Sequence, residues 1–131
     1  MVVDTSAVLA IFFSEPERRQ FLDNIIQSQT RLISAASVLE TGIVLEARKG
    51  EAAGREFDLF VVRANLKIVP VDAEQADLAR SAWRKYGKGR HPAALNFGDC
   101  FSYALAKSSG EPLLAKGTDF ALTDIEVVLF E

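Results

Sequence analysis

Short apolar runs alternate with longer segments of helical period along the whole chain, and this alternation constrains the fold more than any other feature. The apolar runs predict strands at residues 1–3, 31–33, 67–71, 112–115 and 126–130. The segments between them predict helices at residues 6–13, 16–28, 35–49, 51–65, 73–86 and 96–109. Strands that alternate with helices favour a mostly parallel sheet covered by helices, so the predicted fold class is an α/β sandwich.

Length and composition are those of an ordinary soluble globular protein. A chain of 131 residues with 49% hydrophobic content can bury one core, so we expect a single domain over residues 1–131. The only cysteine, Cys100, cannot form an internal disulfide, and the N-terminus lacks the pattern of a signal peptide. The longest purely apolar run, residues 7–13, is far below the roughly 20 residues that cross a bilayer. We therefore expect a cytoplasmic protein without a membrane span.

The charge distribution is more informative than the net charge of −3. Residues 80–91 contain no acidic residue, and their cations are interleaved with Trp83 and Tyr86. Such a basic, aromatic segment is typical of a nucleic-acid contact, although a solvated helix face and loop would look the same. The candidate RNA-binding residues in this segment are Arg84, Lys85, Lys88 and Arg90.

Four acidic residues are expected at one edge of the predicted sheet. Asp4, Glu40 and Asp119 lie where a predicted strand ends or in the helix after it, and Asp99 repeats the geometry of an acid near the start of a helix. Ligands of open α/β folds bind at this carboxyl edge. Three of these acids also have a structural interpretation. Asp4 has the position of an N-cap, Glu40 has the capping-box spacing from Ser37, and Asp99 has the same spacing from Asn96.

Capping explains each acid separately but does not explain why all four converge on one edge. Carboxylates brought together repel one another, so their convergence requires a cation. An all-oxygen group of ligands suits Mg²⁺ or Mn²⁺ rather than zinc, and such an ion activates water and polarises phosphate. Phosphodiester hydrolysis is the predicted chemistry. A phosphatase with Asp4 as nucleophile is disfavoured, because Ser6 stands where such a motif would want a second acid.

Four blocks of this sequence resemble the PIN domain and, within it, the VapC toxins. The blocks are residues 2–7, 34–40, 91–100 and 113–120, and the most specific is the phrase that leads to Asp99 and Cys100. The resemblance implies a three-layer α/β/α fold and a Mg²⁺- or Mn²⁺-dependent endoribonuclease that cuts a structured RNA such as tRNA or rRNA. It also implies a homodimer that a VapB-like antitoxin neutralises. The alternative is a degenerate module that binds antitoxin or RNA without cleavage.

The resemblance places the family's catalytic and metal-binding acids on Asp4, Glu40, Asp99 and Asp119. Three further residues are possible supports for this quartet. Thr118 stands where many relatives carry an additional acid, and Ser6 and Asn96 either orient the site or cap helices. For the partner surface, the apolar run at residues 7–13 and the face with Phe57 and Phe60 offer more apolar area than one small domain needs to hide.

Overall fold

The central layer of the molecule is a parallel sheet of four short strands. The computed structural model describes residues 1–130, and within them the strand order is β3-β2-β1-β4 with every pair parallel. The strands are β1 (Val2–Val3), β2 (Leu32–Ser34), β3 (Lys67–Val69) and β4 (Leu113–Leu114). Because β1 lies in the middle of the sheet, the residue that follows it emerges between β2 and β4.

Six α-helices within residues 1–130 cover both faces of this sheet. They are α1 (Thr5–Phe12), α2 (Arg18–Gln27), α3 (Ala35–Lys49), α4 (Glu51–Arg63), α5 (Ala73–Tyr86) and α6 (Phe97–Ser109). Successive residues of a strand point to opposite faces. Accordingly Val3 packs into a core with α1 to α4, whereas Val2 packs into a second core with α5 and α6. The predicted three-layer α/β/α sandwich is confirmed.

Two predicted strands are shorter in the structure than the sequence suggested. β3 ends at Val69 because Pro70 follows it and has no N–H to continue the ladder. The predicted strand at residues 126–130 is wrong as a full strand, since only Val127 forms a bridge, to Leu113. Two backbone hydrogen bonds, from the Leu113 N–H to the Glu126 carbonyl and from the Val128 N–H to the Leu113 carbonyl, hold the tail beside β4. Side-chain packing adds to them, since the Phe130 ring lies 5.5 Å from the ring of Phe21.

The apolar run at residues 7–13 does not form a spare surface, so that prediction is wrong. Ala7, Val8, Ala10 and Ile11 are buried in the chain's own core. Phe57 is also buried, and Phe12 packs edge-on against it with ring centroids 6.2 Å apart. The large apolar side chains that do remain exposed on α3 and α4 are Leu39, Ile43, Leu59 and Val62. None of the helices within residues 1–130 is long and apolar enough to span a membrane.

Candidate active site

Asp4 is fixed at both of its carboxylate oxygens. It directly follows β1 and caps α1, because its Oδ2 accepts a hydrogen bond from the Ser6 N–H at 3.0 Å. Its Oδ1 accepts a second hydrogen bond, from Ser102 Oγ at 2.5 Å. Only 3% of Asp4 is exposed. The capping interpretation of Asp4 is therefore confirmed, and the other oxygen is held by a residue that the sequence analysis missed.

Ser102 connects Asp4 to a chain of buried hydroxyl groups. It lies one turn after Asp99 on α6 and is fully buried. Its Oγ is 3.4 Å from Ser37 Oγ, and the Ser37 carbonyl accepts a hydrogen bond from Thr5 Oγ1 at 3.4 Å. Buried polar groups need partners, so these contacts tie α1, α3 and α6 together. The sequence signal that could have identified Ser102 is its position as a polar residue in the middle of the apolar face of α6.

Asp99 is positioned by the start of α6. The N–H of Asp99 donates to Asn96 Oδ1 at 2.9 Å, and the Asn96 N–H donates to Asp99 Oδ2 at 3.0 Å, which completes a capping box. The expected capping role of Asn96 is confirmed. Burial raises the pKa of Asp99 to about 6, the Asn96 N–H opposes this shift, and the negative charges of Asp4, Glu40 and Asp119 add to it. Asp99 is thus within electrostatic reach of the other three acids.

Glu40 reaches from α3 to the beginning of α6. The capping box expected between Ser37 and Glu40 is wrong, because the N-cap of α3 is Ser34, which accepts from the Ala36 N–H at 3.2 Å. Ser37 lies inside the helix and leaves Glu40 free of a capping role. The Glu40 carboxylate instead lies against Gly98, where an added Cβ would be 2.4 Å from Glu40 Oε2. Glycine at this position is what allows Glu40 to approach the neighbour of Asp99.

Asp119 lies at the open side of the site. It is exposed and begins the 3₁₀ helix Asp119–Leu122, directly after the exposed Thr118. The loop before it is tied to α1, because the Lys116 N–H donates to Ser6 Oγ at 2.9 Å. The Ser6 hydroxyl therefore holds the loop that leads to Asp119, rather than capping a helix or contacting Asp4. The Thr118 side chain makes no capping bond.

The donor set fits a hard divalent cation with few protein ligands. Within residues 1–130, no three His, Cys, Asp or Glu side chains are close enough to enclose one ion. None of the four acids forms an ion pair in this part of the chain, and the nearby Lys116 pairs with Glu15 and Glu17. Mg²⁺ is usually held by one or two carboxylates and several waters, with room left for substrate phosphate. The Glu40 carboxylate fills the space that a Cβ at Gly98 would take, which brings it beside the start of α6 and the neighbour of Asp99.

The basic segment is exposed to solvent at the end of α5 and in the loop that leads to α6. Arg84 and Lys85 are exposed on the last turn of α5, and Lys88 and Arg90 are exposed in the loop after it. The Arg90 guanidinium lies 4.1 Å from the centre of the Trp83 ring, a cation–π contact. These positions leave the charges accessible to a ligand.

Tyr86 and His91 are structural residues of this segment. Tyr86 is partly buried, with its ring centroid 5.0 Å from that of His91 and 5.8 Å from that of Tyr103. His91 Nδ1 accepts a hydrogen bond from the Ala93 N–H at 3.0 Å, which shapes the loop. Tyr86 is therefore committed to packing, and Trp83 is the aromatic residue of this segment that remains available.

Residues 1–126 match the PIN domain family, and the chain belongs to that family. Over 128 residues it is 56% identical to Ribonuclease VapC of Mycolicibacterium smegmatis, a match that covers 98% of this chain and 99% of that relative. Within the PIN domains it is thus one of the VapC ribonucleases.

Two solved structures share the fold. VapC20 of Mycobacterium tuberculosis, a toxin that cleaves the sarcin–ricin loop, superposes with a TM-score of 0.78 at 20% identity over 97% of both chains. A toxin–antitoxin complex from Klebsiella pneumoniae superposes with a TM-score of 0.72 at 19% identity, over 99% of this chain and 98% of that one. At such identities the likeness shows the fold alone.

Proposed function

We propose that this chain is a Mg²⁺- or Mn²⁺-dependent endoribonuclease that acts as the toxin of a VapBC-type toxin–antitoxin pair. Its proposed substrate is a structured RNA such as tRNA or rRNA. The observation that carries the proposal is the group of four carboxylates at one end of the sheet, which have no cationic partner within residues 1–130. The negative charges of the other three acids raise the pKa of Asp99, so a divalent ion held by one or two of these carboxylates would be favoured there.

In this proposal Asp4, Glu40, Asp99 and Asp119 are the catalytic and metal-binding residues. A bound divalent ion would polarise the scissile phosphate, activate the attacking water and stabilise the leaving oxygen. Asp4 is pre-oriented for this role, because the Ser6 N–H and the Ser102 hydroxyl each hold one of its oxygens. Asp99 is oriented by the Asn96 N–H. These hydrogen bonds fix the two carboxylates before substrate or metal arrives.

The exposed cations of the basic segment are the proposed RNA contacts. Arg84, Lys85, Lys88 and Arg90 lie at the end of α5 and in the loop that leads to α6. Chain connectivity keeps this loop close to Asp99. Cations there would offset the repulsion between the acids and the RNA backbone, so an acidic protein can still bind RNA.

The exposed apolar side chains of α3 and α4 are the proposed contact for a VapB-like antitoxin. Leu39 and Ile43 are four residues apart on one face of α3, with exposures of 65% and 59%. Val62 on α4 is 72% exposed. An amphipathic partner segment would cover such a face.

We also propose a homodimer, which light scattering of the purified protein would test. The cytoplasmic location stays a prediction from the sequence.

The experiment that tests the proposal is RNA cleavage by the purified protein under metal control. Chelation should abolish cleavage, and Mg²⁺ or Mn²⁺ should restore it, because the donor set contains only oxygen ligands. Expression of the active protein should also arrest bacterial growth, and co-expression of a VapB-like partner should relieve the arrest. A preparation of Glu40→Gln made in parallel controls for contaminating nucleases. Undiminished cleavage in excess EDTA, absent from the Glu40→Gln preparation, would refute metal catalysis.

A further inference from the structure

A groove lies between α5 and α6. Its volume is about 580 Å³, within the roughly 300–1,000 Å³ typical of small-ligand sites. Its floor is apolar and its edges are aromatic and basic. The residues that define it are Arg80, Trp83, Lys88, Leu95, Phe97 and Phe101.

The aromatic edges of this groove are unusually exposed. Phe97, the first residue of α6, is 82% exposed, and Trp83 is 45% exposed. The Phe97 and Phe101 rings are nearly perpendicular, with centroids 4.9 Å apart, and most of the Phe97 ring remains open to solvent. Aromatic faces next to a groove are the elements with which proteins stack nucleobases. The exposure of Phe97 has no explanation in the packing of the chain itself.

The charge of the groove selects among possible occupants. Arg80 and Lys88 line it, and the Arg90 guanidinium is held against Trp83 at its edge. Residues 78–98 contain no acidic residue at all, although the whole chain has a net charge of −3. Arg80 has one acidic neighbour, Asp77 at 3.9 Å, and Lys88 has no ion pair among residues 1–130. An anionic ligand with flat apolar rings is therefore complementary to such a site.

The groove and the four acids meet at the start of α6. Asn96, whose N–H orients Asp99, also lines the groove. Phe97 on the groove side is followed by Gly98, which lies against Glu40 on the acid side. A ligand in the groove would therefore continue directly into the carboxylate site.

We propose that this groove binds a nucleobase of the RNA next to the scissile phosphate, stacked on Phe97 and Trp83, with the phosphates on Lys88 and Arg80. This inference rests on the proposed ribonuclease function and adds the position at which the enzyme reads its substrate. The other occupant that the groove could accept is a second copy of the chain, and the experiment separates the two.

The test uses the only tryptophan of the chain, Trp83, as the reporter. All proteins carry Asp4→Asn to prevent cleavage, and the probes are a six-nucleotide adenylate RNA and the same oligomer with abasic riboses. The RNA should quench Trp83 fluorescence. Phe97→Ala should weaken RNA binding by roughly 5- to 150-fold, the effect of losing one base–aromatic stack. It should leave binding of the abasic oligomer unchanged. The control Ile26→Ala, at an apolar side chain of α2 that is 66% exposed, should change neither.

Three results would overturn the groove proposal. The first is equal binding of both probes by Phe97→Ala and its parent, and the second is an equal loss of affinity for both probes. The third is light scattering that shows Phe97→Ala converting a dimer to a monomer with unchanged RNA affinity per protomer, which would assign the groove to a second copy. A separate cleavage assay, which compares the wild type with Asp4→Asn, tests the ribonuclease proposal independently of the groove proposal. If Asp4→Asn cleaves RNA like the wild type, the ribonuclease proposal fails, whatever the groove binds.

Discussion

The four acids divide into two pairs that the protein holds very differently. Asp4 and Asp99, the held pair, each accept at least one hydrogen bond that fixes the carboxylate. Glu40 and Asp119, the open pair, make no hydrogen bond or ion pair among the described residues. Each acid of the held pair also lies at the start of an α-helix, α1 for Asp4 and α6 for Asp99, whereas Asp119 begins a short 3₁₀ helix at the surface.

The difference shows which part of the site the fold prepares in advance. Pre-oriented groups contribute most to catalysis because they need no reorganisation when charge develops. The hydrogen bonds to Asp4 and Asp99 orient the held pair in this way before a ligand binds. The orientation of the open pair depends on what binds between the carboxylates. Its contribution to the cleavage rate should therefore be smaller, and more sensitive to the side chains that surround it. The following experiments are ordered by the size of effect that this comparison predicts.

Asp4→Asn should have the largest effect on RNA cleavage. Loss of the carboxylate removes several kcal/mol of transition-state stabilisation, which corresponds to a rate loss on the order of 1,000-fold. Asp119→Asn, its counterpart in the open pair, should cost about 10- to 100-fold less. Single-turnover cleavage rates in saturating Mg²⁺ measure both. Equal losses in the two variants would break the distinction between held and open pairs.

Gly98→Ala should reduce cleavage by about 100-fold without reducing stability. The new Cβ would displace the Glu40 carboxylate, and a shift of about 1 Å at a reacting group is enough for such a loss. Stability should not fall, because alanine is a better helix former than glycine and the Glu40 side chain is flexible.

Gly42→Ala is the matched control, since a Cβ at Gly42 meets nothing within 4 Å. Both variants gain helix propensity, but only Gly98→Ala displaces Glu40. Thermal melts and cleavage rates of the two proteins are the measurements. Wild-type cleavage by Gly98→Ala would mean that the position of the Glu40 carboxylate does not matter.

Ser102→Ala should weaken Mg²⁺ affinity by about 10- to 100-fold, as loss of a hydrogen bond to a metal ligand typically does, and so raise the Mg²⁺ requirement. Its readout is the Mg²⁺ concentration that gives half-maximal cleavage, which a purely structural role would leave unchanged. Ser109→Ala, at the other end of α6, is the control and should behave like the wild type. An unchanged Mg²⁺ requirement in Ser102→Ala would show that the Ser6 N–H alone suffices to orient Asp4.

Replacement of both Lys88 and Arg90 by alanine should have the smallest effect. RNA affinity should fall for all sequences, and its salt dependence should flatten by about 0.7 log units per lost phosphate contact on a single strand. Both proteins should carry Asp99→Asn to prevent cleavage. Superimposable plots of affinity against salt would show that the basic segment is only a solvated surface.

Local sequence patterns were sufficient to predict the architecture, and they selected the four acids as candidates for the site. The alternation of short apolar runs and helical segments predicted the parallel sandwich, because periodicity is a property of neighbouring residues. The capping box of Asn96 and Asp99 was predictable for the same reason, since its two members are three residues apart. The family resemblance then assigned roles to Asp4, Glu40, Asp99 and Asp119, and these roles stay proposals.

Contacts between distant parts of the chain decided the rest. Ser102 holds Asp4 across 98 residues, and Gly98 of α6 admits Glu40 of α3. The apolar run at residues 7–13 was predicted as a partner surface but is largely buried in the core. Burial depends on which elements pack together, and no local pattern contains that information. The sequence therefore determined which residues could form the site, and only tertiary packing decided which of them are held and which stay open.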